Sequence, residues 1–237
     1  MALIRLDKLL ADSGAFTRSE ARKCVRDGRV QVDGLTVRQP EAKFDADSVS
    51  VSVDGAALSC ASLRYLMLHK PAGVLSATED PRQETVLDLL PSPYRRMGLF
   101  PVGRLDKDTT GLLLLTNDGD FAHRVISPKK HVPKVYRAEV DGELDAADAA
   151  VFAEGLVLGD GTVCLPAKLE LPTPGVGRVT VYEGKYHQVK RMFAARGKPV
   201  TALHREKIGA LTLDPALPPG GVRELTPAEL EAVFQNG

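Results

Sequence analysis

Phe100-Pro101-Val102-Gly103-Arg104-Leu105-Asp106-Lys107-Asp108-Thr109-Thr110-Gly111-Leu112-Leu113-Leu114-Leu115 sets acids, cations and hydroxyls directly ahead of an unbroken apolar run. Four successive leucines read as a strand buried on both faces, and a loop braced by such a strand is where catalytic groups are often displayed. Outward from this stretch, Tyr65 to Leu68 reads as a strand ending at His69-Lys70-Pro71, with further strands at Pro133 to Val140 and Arg178 to Tyr182. Helices are expected at Phe121 to Ile126, at Tyr186 to Arg196 ending on Gly197, and at Pro227 to Phe234 behind the cap formed by Thr226 and Glu229. There is no G-x-G-x-x-G, no Walker loop and no regular β-α alternation, so a nucleotide-binding α/β fold does not fit. What fits is an α+β domain over residues 61–237 on a mixed, largely antiparallel sheet.

Residues 1–60 read as a separate small module. Leu3, Leu6, Leu9 and Leu10 recur at helical spacing until Ser13-Gly14, and Thr17-Arg18-Ser19-Glu20 is a capping box that opens a second helix ending near Gly28. Ala21, Cys24 and Val25 share one face of that helix, while Arg18, Arg22, Arg26 and Arg29 form a stripe on another. Val30 and Val32, the Asp33-Gly34 turn, then Leu35 and Val37 read as a hairpin, and Val49, Val51 and Val53 as a strand before Asp54-Gly55. A charged helix face is often only solvated. With Arg5, however, the stripe offers five guanidinium groups, each able to meet a phosphate and so to add affinity with little sequence information.

At 237 residues and 43% apolar content the chain can bury a substantial core. Lys+Arg and Asp+Glu both total 31, and a net charge of zero argues against a nucleic-acid partner until the distribution is read. Lys129, Lys130, Lys134 and Arg137 cluster without an acid. Asp141 to Asp160 carries six acids and no base, and Glu183 to Lys207 carries seven basic residues against two acids, which suggests a basic working face and an acidic back. Cys24, Cys60 and Cys164 include no C-x-x-C pair and are expected to be scattered core thiols. No two of His69, His123, His131, His187 and His204 have ligand spacing with a nearby carboxylate, so no metal is expected. No apolar run approaches a membrane span or signal peptide, so a cytoplasmic protein is expected; it is also expected to be a monomer.

Gly103-Arg104-Leu105-Asp106, then Thr110-Gly111-Leu112-Leu113 and Thr116-Asn117-Asp118-Gly119, strongly resemble the signature of the RsuA-type pseudouridine synthases. Lys70-Pro71-x-Gly73, Lys134-x-Tyr136 and Gly184-Lys185-Tyr186-His187-Gln188-Val189-Lys190-Arg191-Met192-Phe193 agree in the same order. The stretch from Met1 to about Gly55 resembles the S4 RNA-binding domain. This resemblance implies an isomerisation in which the bond from uracil N1 to ribose C1′ breaks and the base is rejoined through C5, with no cofactor or metal.

By the same resemblance Asp106 is the nucleophile or ribose-directed base, Lys190 the cation that opposes the effect of burial on it, and Tyr136 a ring that stacks on uracil with a hydroxyl suited to proton transfer. Arg104 is expected to stack in the place vacated when the target uridine leaves the RNA stack. Lys134, Lys185 and Arg191, with Arg5, Arg18, Arg22, Arg26 and Arg29, are expected to bind RNA. The partner implied is ribosomal RNA. Relatives acting on large-subunit RNA commonly carry a long basic tail or lack the S4 module, which favours a 16S uridine in a partly assembled small subunit, with 23S RNA the alternative. Two rival classes are a noncatalytic RNA-binding assembly factor and a glycoside hydrolase using Asp106 and Asp108; the latter fits poorly with 5% aromatics and no tryptophan.

Overall fold

A computed structural model describes residues 3–46, 48–58, 63–92 and 94–235. Contacts divide the chain into two compact units, one formed by residues 1–64 with 90–99 and the other by 65–89 with 100–237. Cys60 lies outside the described residues; Cys24 and Cys164 are free and buried.

In the first unit β1 (Leu3–Arg5) pairs antiparallel with β4 (Lys43–Asp45), and α1 (Leu6–Asp12) and α2 (Arg18–Arg26) lie between them in sequence. Leu3 is thus a strand residue and solvent-exposed rather than the start of the first helix. The Thr17–Glu20 capping box is formed reciprocally and starts α2. Strands β2 (Val30–Val32), β3 (Leu35–Thr36), β5 (Val51–Val53) and β6 (Ala56–Leu58) make a four-stranded antiparallel sheet in the order β3-β2-β5-β6. Both hairpin turns, Asp33-Gly34 and Asp54-Gly55, have positive φ at the two central residues, the conformation whose twist matches flanking strands. Leu6, Leu9 and Leu10 from α1 meet Ala21, Cys24 and Val25 from α2 and the inward valines of β2 and β5 in one core.

The second unit is built on a nine-stranded sheet. Its path comprises β7 (Tyr65–Lys70), β9 (Thr110–Thr116), β10 (Lys134–Val140), β11 (Lys168–Thr173), β12 (Val176–Val181), β13 (Val200–Ile208) and β15 (Val222–Glu224), in the order β11-β12-β10-β13-β9-β7-β15. Short β8 (Phe100–Pro101) pairs with β9, and β14 (Leu211–Thr212) with β13. Among the described strands of this sheet every pairing is antiparallel except one: β13 runs parallel to β9, joined at His204 with Thr110 and Arg205 with Gly111. That seam divides the sheet into two antiparallel halves. Over one half, Phe152 from α4 (Ala146–Glu154) and Val189, Met192 and Phe193 from α5 (Gln188–Ala194) pack against Ala138, Val179, Val181 and Leu203. Over the other, Phe121 and Val125 of α3 (Gly119–Ile126) pack with Met67, Leu112, Leu114 and Val233, the last just beyond α6 (Pro227–Ala232). Among the described residues no helix is long and apolar enough to cross a membrane.

Candidate active site

Asp106 lies in the loop between β8 and β9, and that loop is held by the segment that follows β7. Ser76 Oγ donates to the Leu105 carbonyl at 2.9 Å and accepts from the Leu105 amide at 3.0 Å. Lys70, the last residue of β7, is wholly buried, and its ammonium donates to the carbonyls of Pro71 at 2.9 Å, Lys107 at 3.1 Å and Thr109 at 2.9 Å. The Gly73 amide reaches the same Lys107 carbonyl at 2.8 Å. Burial pulls the Lys70 pKa down to about 8, resisted by the carboxylates of Asp108 and Asp106. One lysine therefore fixes the backbone on the C-terminal side of Asp106 while Ser76 fixes the residue before it.

The Asp106 carboxylate, a quarter exposed, has Lys190 Nζ 3.1 Å from Oδ2 and His187 Nε2 3.4 Å from Oδ1. Lys190 also donates to Asp108 Oδ1 at 2.5 Å. Burial alone would lower the Lys190 pKa, but the hydrogen bonds to Asp108 and Asp106 outweigh it and hold the value above the ordinary one. The same Lys190 contact holds Asp108 below the usual carboxylate range. A fixed ammonium between two carboxylates offsets one of their two negative charges and lowers the repulsion between them.

Tyr136 enters from β10, its ring packed against the α4–α5 core and its hydroxyl accepting from Arg205 Nη1 at 3.3 Å. Arg205, nearly fully buried on β13, donates from Nε to the Leu112 carbonyl at 2.7 Å. This close approach is why residue 111 is glycine: its φ is +107°, and a Cβ there would collide with the Arg205 backbone. Arg104, Leu105, Asp106, Thr109, Tyr136 and His187 contribute to a recess of about 80 Å³. It shares Arg104, Asp106 and His187 with an adjoining cleft of about 720 Å³ that Asp80, Lys107 and Tyr186 also line. A partly buried carboxylate beside a fixed cation, opposed by a phenol in a small recess, suits nucleophilic or proton-transfer chemistry on a flat ring.

Residues 64–195 match the family model for RNA pseudouridylate synthase, and residues 4–49 match that for the S4 domain. Over 232 residues the chain is 43% identical to ribosomal small subunit pseudouridine synthase A of Escherichia coli K12, covering 97% of this chain and 100% of that one. The chain belongs to the RsuA-type RNA pseudouridine synthases. It is also 47% identical over 231 residues to YtzG of Bacillus subtilis strain 168, an uncharacterised RNA pseudouridine synthase, covering 96% and 97% of the two chains. A crystal structure of a pseudouridylate synthase superposes with a TM-score of 0.69 at 38% identity, covering 97% of this chain and 99% of that one.

The synthase brings Arg104, Asp106, Tyr136 and Lys190 to one site. Arg104 is exposed and has no hydrogen-bond or ion-pair partner among the described residues. Lys134, Lys185 and Arg191, also expected from sequence to bind RNA, are occupied. Lys134 donates to the carbonyls of Val125 and Val132 at 2.7 and 2.8 Å, and burial, helped by Arg205, pulls its pKa down to about 8. Lys134 thus ties β10 to the end of α3 instead of offering a free cation. Lys185 lines the cleft, but its ammonium is held by Glu183 and the Val163 carbonyl. Arg191 is bound to Asp160 at 2.5 Å and to the Tyr186 carbonyl at 3.2 Å.

The arginine stripe is likewise partly tied down. Arg5, Arg18 and Arg22 converge on Asp7, whose side chain is fully buried, at 3.0, 3.5 and 2.9 Å. Burial pushes the Asp7 carboxyl up, yet the hydrogen bonds from Arg5 and Arg22 with the Arg18 charge bring it down to about 2. Arg29 is paired with Asp54. Arg26 is the stripe member that is exposed with no carboxylate partner among the described residues. The segregation of charge along the chain is also undone in space, because Asp148 and Asp160 of the acidic stretch pair with Arg196, Lys198 and Arg191 of the basic one.

Sequence reasoning missed Lys70, Ser76 and Arg205 as supports of the site. Lys70 carried the one available signal, a lysine followed by proline at the end of a strand that reads as buried. The helix expected from Tyr186 begins only at Gln188, because His187 adopts the left-handed conformation at φ 47°. Lys190 therefore sits in the first turn of a shorter helix.

Proposed function

We propose that this synthase converts a uridine of 16S ribosomal RNA to pseudouridine, with Asp106 acting at the ribose or base carbon, Lys190 as its counter-cation and Tyr136 stacking on the uracil. The observation that carries this reading is that Asp106 and Tyr136, from separate elements, line one recess of about 80 Å³ while Lys190, from a third, holds the Asp106 carboxylate at 3.1 Å. In the reaction the N1–C1′ bond breaks, C5 bonds to C1′, the C5 proton leaves to a base and N1 gains a proton. The Tyr136 hydroxyl is suited to the proton step, since Arg205 already donates to its oxygen and its own O–H is free to turn toward the recess. The uridine must leave its stack to enter, at a cost of a few kcal/mol that is smaller in loops; Arg104 at the rim supplies a planar cation to occupy the gap. Identity of 42–43% over nearly the full length to relatives named as ribosomal small subunit enzymes supports 16S RNA as the substrate.

Because the C5 hydrogen is lost in each turnover, tritium release from C5-labelled transcripts of 16S and 23S RNA, naked and in partly assembled subunits, tests the proposal. Release from 16S RNA by the wild type and none by Asp106→Asn, with RNA affinity within a few-fold, is expected. Release by the Asn variant would remove Asp106 from its role, and release from 23S RNA alone would move the substrate.

A further inference from the structure

Tyr186 is the most exposed large hydrophobic side chain among the described residues of the second unit, at 74%, yet its surroundings are built and not loose. Its ring lies on the His187 imidazole at 3.9 Å with 17° between planes, so one face is covered and the other faces solvent. The backbone beneath it is pinned from several sides. Arg191 donates to the Tyr186 carbonyl at 3.2 Å and is itself anchored on Asp160. The Lys185 amide donates to Gln188 Oε1 at 2.9 Å, and the Gln188 amide returns to the Lys185 carbonyl at 3.1 Å. Gln188 Nε2 is bound to Glu183 at 2.9 Å. His187, whose φ of 47° a non-glycine residue seldom adopts, delays the helix start and turns both rings toward the cleft.

A rigid aromatic ring with one free face, at the rim of a cleft, loses little freedom on binding and matches the π-face of any base. When a nucleotide is extruded from RNA, the base beside it loses a stacking partner. We propose that the free face of Tyr186 stacks the RNA base adjoining the uridine held at Asp106. The proposal rests on Asp106 marking the uridine site. His187, bridging Tyr186 and Asp106, sets the spacing between the platform and the reacting carboxylate.

Stacking of this kind changes binding by about 5- to 150-fold per base. In tritium-release assays on the 16S transcript or, failing turnover there, the 23S transcript, Tyr186→Ala is expected to raise KM by that factor with kcat little changed, and Tyr186→Phe to restore the wild-type value. Because the side chain is exposed, thermal unfolding of both variants should match the wild type. A second readout needs no turnover: a 16S stem-loop carrying 2-aminopurine next to the target uridine, on one side or the other, is titrated in the Asp106→Asn background. Quenching on one side, retained by Tyr186→Phe and lost in Tyr186→Ala, supports the platform. A KM for Tyr186→Ala within twofold of wild type, a fall in kcat alone, or the absence of Tyr186-dependent quenching on both sides would overturn it. Turnover by Asp106→Asn would count against the nucleophile while leaving the Tyr186 comparison intact.

Discussion

Replacing Asp7 with asparagine tests whether three arginines of the first unit are structural or free. Asp7 is fully buried and carries Arg5, Arg18 and Arg22, which bring its pKa down to about 2. Against an unfolded value near 3.9, that difference corresponds to about 2.5 kcal/mol of stability, trimmed toward about 2 kcal/mol because the guanidinium groups are half in solvent. The sign follows from the depressed folded value: the contribution is complete above about pH 4 and disappears as pH falls through 2. Asp7→Asn should therefore lose about 2 kcal/mol at pH 7 in urea titrations followed by circular dichroism. Its stability should also fall less steeply than that of the wild type between pH 4 and 2, since the variant has no proton to take up. RNA affinity at pH 7 should not drop, because the substitution releases cations. A loss no larger than that of an ordinary surface substitution, about 0.5 kcal/mol, would refute the argument, as would identical acid limbs. A tenfold loss of RNA affinity in a folded variant would mean that the pinned geometry is what RNA reads.

Arg26, the stripe member with no carboxylate partner among the described residues, should contribute about 0.7–0.9 to the slope of log affinity against log salt. Arg26→Ala should flatten that slope by about as much, and Arg29→Ala by less because Asp54 already holds its guanidinium. Lys134→Met should leave RNA affinity within twofold. The depressed folded pKa of Lys134 means that the wild type gains stability as pH rises from about 8 toward 10.4, and denaturation across that range should show a shallower gain in the variant. Lys190→Met should slow tritium release by about 100-fold while RNA binding changes only a few-fold. Gly111→Ala should cost about 2–4 kcal/mol in thermal unfolding through collision with the Arg205 backbone and strain at φ +107°.

Local patterns are legible where local physics decides. The Thr17 and Thr226 caps, the Asp33-Gly34 hairpin and the four-leucine strand form as their sequences dictate. Asp106, Tyr136, Lys190 and Arg104 are marked by motifs and meet at one site. What stays hidden depends on which group sits opposite. An arginine stripe and a lysine before a tyrosine look free in one dimension, but Asp7 reaches Arg18 and Arg22 from a different helix, and the carbonyls that hold Lys134 come from α3 and the turn after it. His187 escapes the pattern because its left-handed backbone interrupts an apolar spacing that otherwise continues as a helix. Arg205 gives no signal, since its partners Tyr136 and Leu112 lie on strands distant in sequence.

The parallel seam has a consequence for the order in which the enzyme matures. The carboxylate loop leads into one side of that join, and the strand carrying Arg205 forms the other, so Thr110 and Gly111 find their partners only at His204 and Arg205. Contacts so distant along the chain form late, and during synthesis the N-terminal parts emerge first. A nascent chain that has already made its small N-terminal helices and the Asp106 loop therefore still lacks the strand that pairs with Thr110 and Gly111. The seam closes only once β13 docks beside β9, so a chain that stops before β13 keeps the segment matching the S4 domain but lacks Arg205 and one side of the join that the Asp106 loop leads into.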